Sequence, residues 1–308
     1  GIIMGTKCHI ADCELLQRYT KKEKKFDAKS STISAFIKLS ASFALAGSES
    51  ALDSNDCTTQ TKQMATAMHD MAYSLFQKKN YDSALKFVED CLQLKKDAYD
   101  NDHEELANTI SLKANIFEKK GIKDMKLINK ALDQHIEALR IRQKSCTSMH
   151  PNIATSLVSI GNIHLNREDY LRAVNCLEEA LHIRRHTIGD DNEESAEVLC
   201  SLGLAYQEVE AYNKALDCYK NALKVKQTIL GEDRKPCADI ISQIAKLHKE
   251  TKQNNLALQR FKEALRIFRI IGMERDDPDV VEATLFVNWV TTNTARKQIQ
   301  LDTSLRLT

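Results

Sequence analysis

The sequence has little proline, little glycine and no long apolar run. Only three prolines and nine glycines occur in 308 residues, which is typical of a helix-rich chain. No hydrophobic stretch approaches the roughly 18 residues of a membrane span, so none is expected. The nine cysteines are an odd number and include no C-x-x-C pair. A disulfide framework is therefore not expected, and the inferred compartment is the cytoplasm.

The sequence also lacks a charge excess and the motifs of known catalytic sites. Lys+Arg number 44 against 43 Asp+Glu, so the net charge is +1 and nucleic acid is not an expected partner. Phosphate-binding glycine loops, the H-E-x-x-H zinc motif and the G-x-S-x-G elbow are missing, and we predict neither an enzyme nor a cofactor. His182 and His186 have the spacing of helical metal ligands, but Arg184 and Arg185 lie between them. A solvated helix surface without metal is the favoured interpretation.

What the sequence does contain is a repeat. EDYLRAVNCLEEALHIRR, residues 168–185, is followed 42 residues later by EAYNKALDCYKNALKVKQ, residues 210–227. Extending the pattern gives five copies, each with a small residue, an Ala twelve positions on and another small residue seven beyond. In the second copy the first gap is 17, an insertion of five. The triplets are Ala72/Ala84/Cys91, Ala114/Ala131/Ala138, Gly161/Ala173/Ala180, Gly203/Ala215/Ala222 and Ala245/Ala257/Ala264.

Close packing between helices explains the small residues. Apolar residues around each triplet recur with helical spacing, and two antiparallel helices whose axes approach to about 8 Å need small side chains at the crossing. Each copy is therefore predicted to be a helical hairpin. Its first helix is named A and its second B. The A helices are expected near 62–78, 103–120, 151–167, 193–209 and 236–252, and the B helices near 81–98, 124–144, 170–187, 212–229 and 254–271.

Prolines and glycines are placed at the predicted helix ends. Pro151, Pro236 and Pro278 fall in first turns, where a missing N–H costs nothing, and Gly189 and Gly231 follow B helices. A further helix from about 278 to 297 is expected to cap the stack. Residues 1–61 are interpreted as an N-terminal segment, partly helical over 31–46 or a linker, or a remnant of an upstream domain. Residues 298–308 are interpreted as a tail.

The repeat resembles the tetratricopeptide repeat in the long form of kinesin light chains and nephrocystin-like proteins. The likeness is clearest in ALRIRQKSCTSMHPNIATSL (138–157), ALHIRRHTIGDDNEESAEVL (180–199) and ALKVKQTILGEDRKPCADII (222–241). The implied fold is an all-α, right-handed superhelical solenoid of antiparallel helix pairs. Over 62–297 this means five long repeats and a capping helix.

The resemblance implies a non-catalytic scaffold or adaptor that binds an extended peptide or a helix of a partner protein. The alternatives are a regulatory or targeting module of a larger enzyme or NTPase, and a kinesin-type cargo adaptor. Binding is expected in a concave groove lined by A helices, where amides and hydroxyls can bond a peptide backbone. The groove residues implied by the family are His69, Tyr73, Asn108, Asn115, Thr155, Asn162, Asn166, Gln207, Lys246 and Lys249.

Overall fold

The computed structural model describes residues 54–121 and 124–306, and these ranges contain eleven helices and no strand. The predicted helix over 31–46 lies outside the described residues. The all-α prediction is confirmed. The helices are α1 (Ser54–Gln77), α2 (Tyr81–Ala98), α3 (Glu104–Lys120), α4 (Met125–Ser145), α5 (Pro151–Asn166), α6 (Tyr170–Ile188), α7 (Glu193–Glu208), α8 (Tyr212–Leu230), α9 (Lys235–Glu250), α10 (Asn254–Ile270) and α11 (Pro278–Arg306).

The helices pair in chain order as the repeat predicts. The A helices are α1, α3, α5, α7 and α9, and each packs most closely against the B helix that follows it. Contacts divide the chain into two compact units, one ending at Ser148 with α1–α4 and one beginning at Met149 with α5–α11. The larger core cluster of the first unit lies between Met64 and Ile116, and that of the second lies between Leu177 and Val290.

All fifteen small repeat residues are buried, as close helix packing requires. The two glycines among them show how little room remains. A Cβ at Gly161 would lie 2.8 Å from Leu177 Cγ, and one at Gly203 would lie 2.6 Å from Tyr219 Cε1. The thiol of Cys91 is also fully buried and donates to the carbonyl of Ala65 at 3.1 Å. The repeat spacing therefore reflects the small side-chain volume that each helix crossing allows.

The five-residue insertion of the second copy is divided among three places. Relative to the first small residue of its copy, α3 ends one residue later than the other A helices, and the turn that follows is one residue longer than theirs. Relative to the second small residue, α4 begins three residues earlier than the other B helices. The sequence predicts that the five residues lengthen the B helix or bulge its turn without breaking the stack, and the structure has both a longer α4 and a longer turn. The stacking of α3 on α4 is kept because both helices still meet at Ala114, Ala131 and Ala138, which are fully buried.

The other four hairpin turns share a strained backbone position. In each of these turns the second residue after the A helix is not glycine but has a positive φ, near 60°. The peptide groups around it form a Schellman motif: Asn80 N–H donates to Leu75 O at 2.9 Å, and Lys79 N–H donates to Phe76 O at 2.9 Å. This conformation costs an L residue about 1–2 kcal/mol, so the packing of the hairpin must hold it in place. The four residues are Lys79, Glu168, Glu210 and Lys252.

The prolines and glycines occupy the predicted helix ends. Pro151 and Pro236 lie in the first turns of α5 and α9, and Pro278 begins α11. Gly189 and Gly231 are the C-caps of α6 and α8, both with positive φ. Helix α1 begins at residue 54 and α11 continues to residue 306, so the expected limits at 62 and 298 fall inside helices.

Candidate functional site

In the first unit, the expected groove residues lie on α1 and α3. They differ in exposure and in whether their side chains already form hydrogen bonds within the protein. Tyr73 is half exposed and its ring is 6.4 Å from that of Phe76. His69 is half buried, and burial lowers its pKa. Asn108 is already used, because its Oδ1 accepts a hydrogen bond from Arg142 Nη2 at 2.8 Å.

Asn115 is the expected groove residue of the first unit whose amide is free. It is half buried on α3, and its side chain forms no hydrogen bond with any residue that the structure describes. Its amide therefore has both donor and acceptor capacity left for a ligand.

In the second unit, α5 presents three of the expected residues. Thr155 is exposed, but its Oγ1 donates to the carbonyl of Pro151 at 3.2 Å within the same helix. Asn162 is half buried and Asn166 is exposed. Within the described ranges neither asparagine side chain has a hydrogen-bond partner. The two lie one helical turn apart on α5, so both amides can reach the same ligand.

Three other expected residues are already bonded inside the protein. Gln207 is buried; its Nε2 donates to Glu250 Oε1 at 2.8 Å and its Oε1 accepts from Tyr219 OH at 3.4 Å. Lys246 Nζ lies 3.0 Å from Glu282 Oε2, and Lys249 Nζ lies 3.8 Å from Glu282 Oε1. Gln207 thus serves as a packing residue, and the two lysines connect α9 to α11.

A cleft of about 370 Å³ opens between the A helices α7 and α9. Its α7 wall is formed by Cys200, Ser201 and Leu204, and its α9 wall includes Asp239 and Gln243. The lining of the cleft is mainly apolar with a few polar side chains, which is the usual character of a binding pocket. The thiol of Cys200 is a poor nucleophile here, since burial raises its pKa to about 11.

Sequence reasoning missed a set of buried cations on the B helices. Each lies four residues after the third small residue of its copy, and that fixed offset was the available signal. Lys95 Nζ contacts Glu105 Oε2 at 2.5 Å, and the hydrogen bond holds the pKa of Glu105 below its usual range. In the fifth copy the position is taken by the buried Phe268. The four cations are Lys95, Arg142, Arg184 and Lys226.

These cations join helices within each unit. Lys95 and Arg184 each also donate to a backbone carbonyl in the first turn of the next A helix, that of Glu105 at 3.2 Å and that of Glu194 at 2.5 Å. Lys226 instead turns back to its own A helix and contacts Glu193 Oε1 at 2.8 Å. The set therefore joins helices, and Lys226 also lines the cleft between α7 and α9.

His182 and His186, the possible metal ligands of the sequence, and two further histidines of the second unit occupy ordinary positions. His182 and His186 are exposed, and their ring centroids lie 4.7 Å apart. His164 is buried at the place where the next copy has Tyr206. His248 is half buried and its Nδ1 lies 2.9 Å from Gln253 Oε1.

The features above define a repeat protein built from stacked helical hairpins, and comparison with known families identifies the repeat. Two profiles described as tetratricopeptide repeat match residues 64–105, and 152–228 with 194–270. Together these matches span just over half of the chain. The chain belongs to the tetratricopeptide-repeat proteins.

Solved structures with similar folds include three from different sources. The Podosopora anserina putative kinesin light chain nearly identical TPR-like repeats are 15% identical with a TM-score of 0.58, covering 68% of this chain and 97% of that one. BtubC (BKLC) from P. vanneervenii is 17% identical with a TM-score of 0.62, covering 81% and 96%. MamA 41-end from Desulfovibrio magneticus RS-1 is 14% identical with a TM-score of 0.51, covering 67% and 95%. At these identities the similarity concerns the fold alone.

No curated protein matches the chain significantly. Among the described residues, no helix is both long enough and apolar enough to cross a bilayer.

Proposed function

We propose that the chain is a non-catalytic interaction scaffold that binds an extended peptide or a helix of a partner protein on its A-helix face. The A-helix face of each unit is the surface formed by the expected groove positions on the A helices of that unit. Repeats of this family generally mediate protein–protein interaction, and they are typically not enzymes. The particular surface and the kind of ligand are the substance of the proposal.

The observation that supports it most directly is the unpaired amides beside an apolar cleft. Asn162 and Asn166 have unused hydrogen-bonding capacity on α5, and the cleft at Leu204 lies on the neighbouring part of the same unit, since α5 contacts α7. A peptide offers backbone N–H and C=O groups to asparagine and an apolar side chain to the cleft. The polar contacts would set the register of the peptide, and the apolar contact would contribute affinity.

Charge makes only a small contribution to this proposed binding. The lysines Lys246 and Lys249 share Glu282 on α11, and Glu197 of α7 lies 3.9 Å from Lys226 Nζ. Because these charges are balanced within the protein, we expect affinity to change little with salt between about 0.05 and 0.3 M.

The experiment is to select binding peptides from a displayed random library and to measure each by fluorescence anisotropy with the purified chain. The double variant Asn162→Ala, Asn166→Ala should weaken binding by about 1–3 kcal/mol, since the peptide loses two amide partners. Leu204→Arg should abolish binding by filling the cleft. The same peptides tested against Asn115→Ala report on the first unit.

The matched control is Lys220→Ala, an exposed change on the B helix α8. Circular dichroism should show unchanged helix content in every variant. Full affinity in the asparagine and Leu204 variants, together with a loss in the Lys220 variant, would contradict the proposal and place binding on the B-helix surface.

A further inference from the structure

The second unit has an exposed apolar surface on its last helix. Val281, Leu285 and Trp289 follow one another at intervals of four residues on α11, and their exposed fractions are 38%, 65% and 53%. Residues spaced in this way lie on one side of a helix. We call these three residues the α11 stripe.

The position of Trp289 is buried in all preceding copies except the first. The residue 42 positions earlier is Leu247, and the corresponding residues before it are Ala205, Ile163 and Ile116. Each of these four is at most 2% exposed. At this point of the repeat the side chain is normally covered by a neighbouring helix, so the exposure of Trp289 is a departure from the pattern of the protein itself.

A groove of about 720 Å³ runs beside the stripe. One side is α11, and the other is the end of α9 with the turn that follows it, which contribute Lys249 and Lys252 respectively. Phe286 lies between the groove and the core: its ring centroid is 5.0 Å from Phe261 and 5.9 Å from Trp289. The apolar floor is therefore continuous with the packed interior.

The mouth of this groove has an excess of positive charge. Glu282 is the acid among the groove residues, and it is already shared by Lys246 at 3.0 Å and Lys249 at 3.8 Å. Lys249 also lies over the Phe286 ring, at 5.8 Å from the centroid. Lys252 is exposed and has no ion-pair partner in the part of the chain that the structure describes. An occupant with carboxylates beside its apolar residues would be complementary to this rim.

We propose that the α11 stripe and its groove bind an acidic amphipathic helix of a partner protein. Apolar side chains of that helix would cover Leu285 and Trp289, and its carboxylates would pair with Lys249 and Lys252. A helix is the expected form because helices cover the equivalent position in earlier copies, and because a straight stripe along α11 fits the ridge of a second helix. This site shares Lys249 with the expected groove positions, but it includes neither the asparagines nor the cleft of the A-helix face and does not depend on binding there.

The chain contains a single tryptophan, Trp289, so its fluorescence reports on this surface alone. The probes are three synthetic amphipathic peptides of about 18 residues with the same leucine face and with Glu, Gln or Lys at the flanking positions. Titrating the full chain with the Glu peptide should shift the emission to shorter wavelength and reduce quenching by acrylamide. We expect the Glu peptide to bind about tenfold more tightly than the Lys peptide, with the Gln peptide between them.

Two variants with matched controls locate the site. Leu285→Ser should abolish the shift, and Leu171→Ser, an equally exposed leucine on α6 of the same unit, should not. Lys252→Glu should reduce the preference for the Glu peptide, while Lys220→Glu on α8 should not. Glutamate tolerates the backbone at position 252, because Glu168 and Glu210 have the same positive φ in equivalent turns.

Four results would overturn the proposal. These are no shift with any peptide, equal binding of all three, an effect of the control variants equal to that of the test variants, and emission from the free chain that is already blue-shifted and protected from acrylamide. In the last case the chain itself covers the face. A fifth overturning result is a shift that depends on protein concentration without peptide, which would indicate a second copy as the occupant.

Discussion

The side chain of His135 should make the first unit unstable in acid, and replacing it with leucine should stabilise the protein. His135 lies on α4, is 1% exposed, and neither ring nitrogen has a hydrogen-bond partner. In the other copies the same position, four residues after the second small residue, is filled by large apolar or aromatic side chains. Those side chains are Val88, Leu177, Tyr219 and Phe261, all buried.

The size of the effect follows from the burial of the ring. A neutral polar group buried without a partner costs about 1–3 kcal/mol, so His135→Leu should raise the free energy of unfolding by about that amount at pH 7.5. Burial, together with the charge of Arg142, lowers the pKa of His135 to about 4 from its usual 6.5. Between these values the unfolded chain binds the proton and the folded chain does not, so stability falls as pH decreases from 6.5 towards 4. At about 1.4 kcal/mol per unit the full loss is roughly 3 kcal/mol, and His135→Leu removes it.

The assay is urea unfolding followed by circular dichroism at several pH values between about 7.5 and 4.5. The advantage of His135→Leu over the unchanged chain should grow as the pH is lowered. His182→Gln, at an exposed histidine, is the control and should leave both stability and its pH dependence unchanged. A leucine variant that is less stable at pH 7.5, or that keeps the original pH dependence, would refute the reasoning.

Three further predictions concern the repeat geometry. Glu210→Gly should stabilise the protein by about 0.5–1 kcal/mol in urea unfolding, because glycine adopts positive φ without strain; Lys214→Gly inside α8 should instead destabilise it by about 1 kcal/mol. Gly203→Ala should cost about 1–3 kcal/mol, because the new methyl group meets the Tyr219 ring, and a smaller loss in a Tyr219→Leu background would support that cause. Deleting Lys123–Leu127 should restore the spacing of the other copies. The helix content measured by circular dichroism should stay nearly unchanged, and the melting temperature should fall by a few degrees. Loss of the helical signal would mean that the insertion is needed for folding.

The sequence was sufficient to predict the helices, their pairing and most of their ends. Each helix crossing needs small side chains, and this requirement is local. Small residues twelve and seven positions apart therefore recur in each hairpin and can be recognised in the sequence. Pro151 and Gly189 mark helix ends for equally local reasons, a missing N–H in one case and access to positive φ in the other. Even the insertion in the second copy could be placed, since Ala131 and Ala138 keep their spacing after it.

The tertiary structure decided which of the expected groove residues remain free. Spacing along the A helices places Asn108 and Asn162 on the same helix face. Only the packing of the neighbouring helix determines that Arg142 donates a hydrogen bond to Asn108, whereas the amide of Asn162 remains free. Lys246 and Lys249 are paired because α11 brings Glu282 beside them. The reason is that the repeat determines only the direction in which each side chain leaves its helix. Hydrogen bonds and ion pairs also need a partner atom within 4 Å, and here that partner lies 33 to 43 positions away in the sequence, as with Gln207 and Glu250.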